Sequence, residues 1–217
     1  IAKTKQLRQG DPLDFDTDVG AMTSAIQLEK VERLVDDARG RGAEIRCGGR
    51  RHPDLEGFFF EPTVLENVDH SFDVMTEEVF GPVIGVMPFR DADEAIRLAN
   101  DTRFGLTASV WSGDLARGER IARELEVGTV TVNDHLITAG ICDTPWGGEK
   151  DSGLGRTHGQ RGIYEFVQAR HVHVNRLPKM ELPWWYPYSK KTYDTFKAFG
   201  QVLGGGSLIE RVRGAKD

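Results

Sequence analysis

Apolar residues between Ser24 and Ala38 recur at helical spacing, with Ile26, Val31, Leu34, Val35 and Ala38 predicted on one side. Ser24-Ala-Ile-Gln27 reads as a capping box that opens this helix, and Gly40 and Gly42 close it. A strand-like Glu44–Cys47 follows, then a second strand region from Phe58 to Leu65 in which Pro62 predicts an edge or an irregular end. From Pro82 the pattern becomes regular. Pro82–Phe89, Leu106–Trp111 and Gly128–Asn133 read as strands. Between them lie one helix capped by Asp91 and Glu94 that runs to Asn100, and one capped by Asp114 with Leu115, Ile121, Ala122 and Leu125 on a shared face. Strand, helix, strand, helix, strand is the signature of parallel βαβ units. The predicted fold is therefore α/β, an open, mostly parallel sheet with flanking helices, whose ligands gather beyond the carboxyl ends of the strands.

The flanks are less regular. Ile1–Arg8 reads as the end of a helix stopped by Gly10-Asp11-Pro12. Residues 135–162 form a long glycine-rich stretch, Gly159–Val167 a short helix, and Arg170–Asn175 an alternating strand. Past Arg176 the composition shifts to prolines, Trp184-Trp185-Tyr186 and a helix-like Ser189–Leu203. The expected organisation is one domain over 1–169, a strand at 170–176 and a tail at 177–217.

With 217 residues, 39% hydrophobic and 29% charged, the chain has the composition of a globular domain. A net charge of −6 spread in mixed groups offers no basic stripe, so nucleic acid is not an expected partner. Two isolated cysteines, Cys47 and Cys142, fit neither a disulfide framework nor a metal knuckle, which points to a reducing, cytoplasmic compartment. The chain starts at Ile1 with no signal-peptide pattern, which reads as a beginning in mid-structure.

Four stretches carry candidate chemistry. Met75-Thr-Glu-Glu-Val-Phe-Gly-Pro82 sets two carboxylates and an aromatic before a rigid turn, a combination suited to a ribose bearing a flat ring. On its own it also reads as an acidic helical turn before a strand. Pro145-Trp-Gly-Gly through Gly153-Leu-Gly-Arg156 is glycine-rich but matches neither a Walker loop nor a dinucleotide fingerprint, so a structural loop is expected. Asp14-Phe-Asp-Thr-Asp18 fails the calcium-loop spacing, and His171 with His173 lacks a third ligand, so no metal site is expected. Cys142 stands beside Asp143, which disfavours its thiolate, so it reads as a packing or loop thiol. In the tail, Tyr193, Phe196 and Phe199 form a stripe expected to dock on the domain or on a partner subunit, with peripheral membrane contact as the less favoured alternative.

Five motifs occur in order. They are Gly10-Asp-Pro with Asp18-Val-Gly20, Glu77-Glu-Val-Phe-Gly-Pro82, Asn100 through Phe104-Gly105-Leu106, Gly128-Thr-Val-Thr-Val-Asn133, and Pro145-Trp-Gly-Gly with Ser152-Gly-Leu-Gly-Arg156. Over roughly Ile1 to Arg176 the chain resembles the C-terminal part of the aldehyde dehydrogenase superfamily. The resemblance implies oxidation of an aldehyde to an acid with NAD or NADP, through a cysteine thioester whose nucleophile this chain lacks, and an isolated chain that is inactive. It implies that Glu78 holds the nicotinamide ribose, that Phe80 and Leu106 pack near it, that Gln27 and Lys30 lie near the cofactor, and that Trp146 lines the aldehyde channel. It also implies homo-oligomerisation through the strand at 170–176. The alternative is a non-catalytic interaction protein that pairs with a full-length homologue.

Overall fold

Ser24 begins the first helix as expected, its hydroxyl accepting the Gln27 amide at 3.3 Å. In the computed structural model, which describes residues 1–176, 179, 182 and 185–204, this helix is α1, Ala25–Gly40. Trp184, the run beyond Gly204 and the basic last segment lie outside the described residues. Leu28, Val31, Leu34, Val35 and Ala38 are buried on the inner face of α1, while Ile26 is 80% exposed. The expected inner face thus had one wrong member. Ile26 precedes Val31 by five positions, roughly 140° around a helix of 3.6 residues per turn, which turns it away.

The inner face of α1 packs on the first sheet. This comprises β1 (Glu44–Cys47), β2 (Thr63–Glu66) and β3 (Val83–Gly85), with β1 antiparallel and β3 parallel to β2. Leu65, Val68, Phe72 and Val74 complete the core, helped by the short α2 (Asp73–Thr76). The next helix, α3 (Ala92–Asn100), is capped by Asp91 accepting the Glu94 amide at 2.9 Å. It leads to β4 (Phe104–Gly105) and β5 (Thr107–Val110). Asp114 caps α4 (Leu115–Ala122), which rests on β6 (Thr129–Val132) through Gly118, where a Cβ would stand 2.9 Å from Val132 Cγ1.

Among the described residues the expected single, mostly parallel sheet is instead three small open ones in a mixed α/β fold. β5 and β6 are a parallel pair as the βαβ pattern predicted, but β3 pairs with β2, not with β5. A two-stranded antiparallel sheet joins β4 to β7 (Glu149–Lys150), which the sequence pattern did not foreshadow. Nor is Pro82–Phe89 a buried strand. Only Val83–Gly85 pairs, and Ile84 is exposed because each outer strand has one neighbour among the described residues. The expected N-terminal helix is a single 3-10 turn, Thr4–Gln6. Gln9 then bridges to Val19 and donates from its side chain to Phe60 O, tying this segment to the first sheet. Asp16 and Asp18 both pair with Arg8.

The chain divides into two units, Ile1–Gln168 and Ala169–Asp217. The first ends with α5 (Gly159–Tyr164), shorter than expected. In the second, Arg170–Asn175 is assigned no strand, since a strand is defined by its pairing, and the helix α6 spans Lys190–Gly204. No described helix is long and apolar enough to cross a membrane.

Candidate functional site

The segment Glu77–Gly81 is held from one side by α1. Lys30 donates from Nζ to the Glu78 carbonyl, and Gln27 Nε2 donates to the carbonyls of Val79 at 2.7 Å and Phe80 at 3.1 Å. Arg33 pairs with the Glu77 carboxylate at 3.1 Å. Gly81 lies against Val31, where a Cβ would come within 2.6 Å of Cγ2, so a larger residue would push the segment off the helix. Phe80 takes φ 50°, a left-handed conformation that costs a non-glycine residue about 1 kcal/mol or more. The Gln27 bonds offset that cost. Gln27 and Lys30, expected beside the cofactor, therefore grip backbone carbonyls and position the segment.

Extended backbone at Glu77 sends the two neighbouring carboxylates to different places. Glu77 lines a groove of about 750 Å³ with His70, Asn100, Asp101 and Lys150. Its polar side chains have partners: His70 with Asp101 at 2.8 Å, Lys150 with Glu126 at 3.2 Å, Arg103 with Asp151 at 3.7 Å and Glu77 with Arg33 at 3.1 Å. The hydrogen bond from His70 holds the Asp101 carboxyl below its ordinary range. Glu78 lines a second cleft, of about 470 Å³, with Phe104, Leu106, Thr107 and Ser152. No hydrogen bond or ion pair ties down the Glu78 carboxylate among the described residues. The structure thus brings Glu78 and Leu106 together. Phe80 is 74% exposed and does not line this cleft.

The glycine-rich loop reaches this second cleft through Asp151 and Ser152. Gly128 and Gly147 approach so closely that a Cβ on Gly128 would stand 2.7 Å from the Gly147 carbonyl carbon. Trp146 and Thr157 exchange backbone hydrogen bonds at 2.8 and 2.7 Å, and Arg156 donates to Gly148 O and pairs with Glu149. These contacts close the loop and present Ser152, whose hydroxyl accepts the Gly105 amide at 2.9 Å. Ser152, Phe104 and Thr107 are lining residues that the sequence reading did not single out. Ser152 and Phe104 did stand inside motifs quoted there, which was the available signal.

Other motif residues are structural. Asn100 spans Glu124 O and the Glu126 amide, both at 2.9 Å, and Asn133 exchanges two hydrogen bonds with the Ser112 backbone. Trp146 is half-buried with its ring 6.5 Å from that of His158, and its indole N–H has no partner among the described residues. It does not line the Glu78 cleft. Cys142 is exposed, its thiol 3.9 Å from Gly140 O, and no base is bonded to it among the described residues.

Comparison with known proteins gives this geometry a context. The model of the aldehyde dehydrogenase family matches residues 1–172. A 4,4'-diapolycopene aldehyde oxidase from Methylomonas sp is 42% identical over 197 residues, 90% of this chain and 36% of the relative. A provisionally named succinate-semialdehyde dehydrogenase of the NADP(+) kind from Mycobacterium bovis is 40% identical over 184 residues, 84% of this chain and 36% of its own length. Among solved structures, betaine aldehyde dehydrogenase from Staphylococcus aureus in complex with NAD+ superimposes with a TM-score of 0.79 at 39% identity, covering 86% of this chain and 37% of that one. The chain therefore spans little more than a third of the length of the relatives it matches.

Proposed function

The chain belongs to the aldehyde dehydrogenase family, and from that premise we propose that it forms the ribose-holding wall of an enzyme oxidising an aldehyde to a carboxylic acid with NAD or NADP. The observation that carries this reading is the Glu78 cleft. A carboxylate with no hydrogen-bond or ion-pair partner among the described residues, in one cleft with the apolar Leu106, complements a sugar diol attached to a flat ring. Its roughly 470 Å³ lies within the range of small-molecule sites. The residues fit that end of the cofactor. NAD(P), when bound, supplies the hydride acceptor.

In this reading the Glu78 carboxylate accepts hydrogen bonds from the ribose hydroxyls, each worth about 1.5–3 kcal/mol as bonds to a charged group. Lys30 and Gln27 fix the carboxylate by fixing the backbone that carries it. Leu106 and Phe104 supply apolar wall, and Ser152 holds β4 in register beneath them. In this reading the thiolate that forms the thioester is supplied by another segment, since among the described residues no base is hydrogen-bonded to Cys47 or Cys142. The segment 170–176 joins a sheet of a neighbouring copy of the chain. In support, Val172 and Val174 are exposed on a stretch assigned no strand.

The test is direct. The purified chain, given NAD or NADP with betaine aldehyde or succinic semialdehyde, is expected to show no sustained growth of reduced-nicotinamide absorbance. Sustained turnover abolished by Cys142→Ala would overturn the assignment of the nucleophile to another segment.

A further inference from the structure

The second unit carries an amphipathic surface that the aldehyde reading does not use. Ser189 caps α6, its hydroxyl accepting the Thr192 amide at 3.2 Å, so the helix has its own start signal. Tyr193, Phe196 and Phe199 recur every third residue and occupy roughly 120° of its circumference. All three are exposed, Tyr193 at 66% and Phe199 at 59%. The turn just before the helix adds Trp185, Tyr186 and Tyr188, also exposed, with the two tyrosine rings 4.5 Å apart. Rings of this kind have an apolar body and a polar tip, which suits a boundary between hydrocarbon and water.

Charge selects the partner. Across residues 185–204 there are three lysines, Lys190, Lys191 and Lys197, against one acid, Asp194, in a chain whose net charge is −6. Lys190 and Lys197, seven residues apart, stand on one border of the aromatic stripe. Lys190 and Lys191 lie in the first turn of α6, where the helix macrodipole repels cations. Asp194 offsets part of this charge from within the helix, and an external negative surface would offset the rest. A second copy of this surface would bring like charges together, and a neutral apolar partner would leave the lysines uncompensated.

We propose that residues 185–204 form a peripheral docking surface for an anionic lipid bilayer, with α6 lying in the interface plane, its aromatic stripe inserted and its lysines at the headgroups. The experiment is co-sedimentation of the full 217-residue chain with phosphatidylcholine vesicles containing phosphatidylglycerol, compared with pure phosphatidylcholine. Binding is expected to the anionic vesicles and to fall with added salt. Lys197→Gln should weaken it about fivefold and the Lys190→Gln, Lys197→Gln pair by about the square of that. Phe196→Ser with Phe199→Ser should abolish it. Equal binding to both vesicle types, binding to neither, or unchanged binding by the Phe196→Ser, Phe199→Ser chain would each overturn the proposal. So would a dimer in sedimentation velocity that Phe196→Ser dissolves, because the stripe would then belong to a second copy.

Discussion

Gly128→Ala should loosen the loop that carries Ser152 to the Glu78 cleft, although glycine-to-alanine changes at compatible sites stabilise. The added methyl would lie 2.7 Å from the Gly147 carbonyl carbon and 3.0 Å from Gly148 Cα, and closer still to the Gly147 oxygen. Carbon atoms rest at about 3.5–4.0 Å from one another and the oxygen contact is tighter still, so the Gly147 backbone must retreat by more than about 1 Å. The three nearest atoms are all backbone, so no rotamer change can relieve the clash. A shift of that size stretches the paired bonds between Trp146 and Thr157, now 2.8 and 2.7 Å, beyond useful length. Losing both costs about 2 kcal/mol, and the stiffer unfolded chain returns about 0.4–1 kcal/mol. The net of about 1–1.6 kcal/mol corresponds to roughly tenfold faster hydrogen exchange at the Thr157 and Trp146 amides. Gly40→Ala is the matched control. It ends α1 with nothing within 4 Å, and there the same methyl should stabilise by about 0.5–1 kcal/mol. If Gly128→Ala exchanges at or below the wild-type rate while Gly40→Ala behaves as expected, the close approach of Gly128 to Gly147 is wrong.

Two further outcomes follow from the packing and the charges. Leu65→Ala removes a fully buried side chain between α1 and the first sheet and should cost about 2–5 kcal/mol in urea unfolding; a loss under about 1 kcal/mol would mean that this is not the core. The Glu94 carboxyl is lowered from its ordinary 4.5 to about 2 by the side chain and then the backbone N–H of Arg90. Because the folded-state value is the depressed one, its contribution is full above about pH 4.5 and is lost as pH falls toward 2. Glu94→Gln should therefore flatten the stability profile between those values and leave its neutral-pH slope unchanged; an unaltered acid limb would exclude the Arg90 pairing.

Local chemistry was legible in the sequence where a residue acts on its near neighbours. Ser24, Asp91 and Asp114 cap the helices they were expected to cap, and the pattern from Leu106 to Asn133 gave a parallel strand pair around α4. Sheet pairing was less legible, because a period of two says which residues alternate and not which strand lies alongside. Thus β3 joined β2, and the two-residue β4 and β7 escaped notice, being too short to carry a period. At the site, Glu78 and Leu106 line one cleft. The division of labour between Glu77 and Glu78 depends on Arg33, forty-four residues upstream, and no local rule reveals it. The same holds for Gln27 and Lys30, whose proximity was expected but whose carbonyl partners, at a separation of 48–53 residues, were not.

The ribose-holding role of Glu78 is tested most directly by titrating NAD into the isotopically labelled chain and following backbone amide shifts. If the chain holds one wall of the site, as proposed, binding is weak and shifts are confined to residues around Glu78, Phe104, Leu106 and Ser152. Glu78→Gln should remove those shifts, whereas Glu77→Gln, which faces the other groove, should leave them in place. Shifts that survive Glu78→Gln, or that vanish with Glu77→Gln instead, would contradict the assignment.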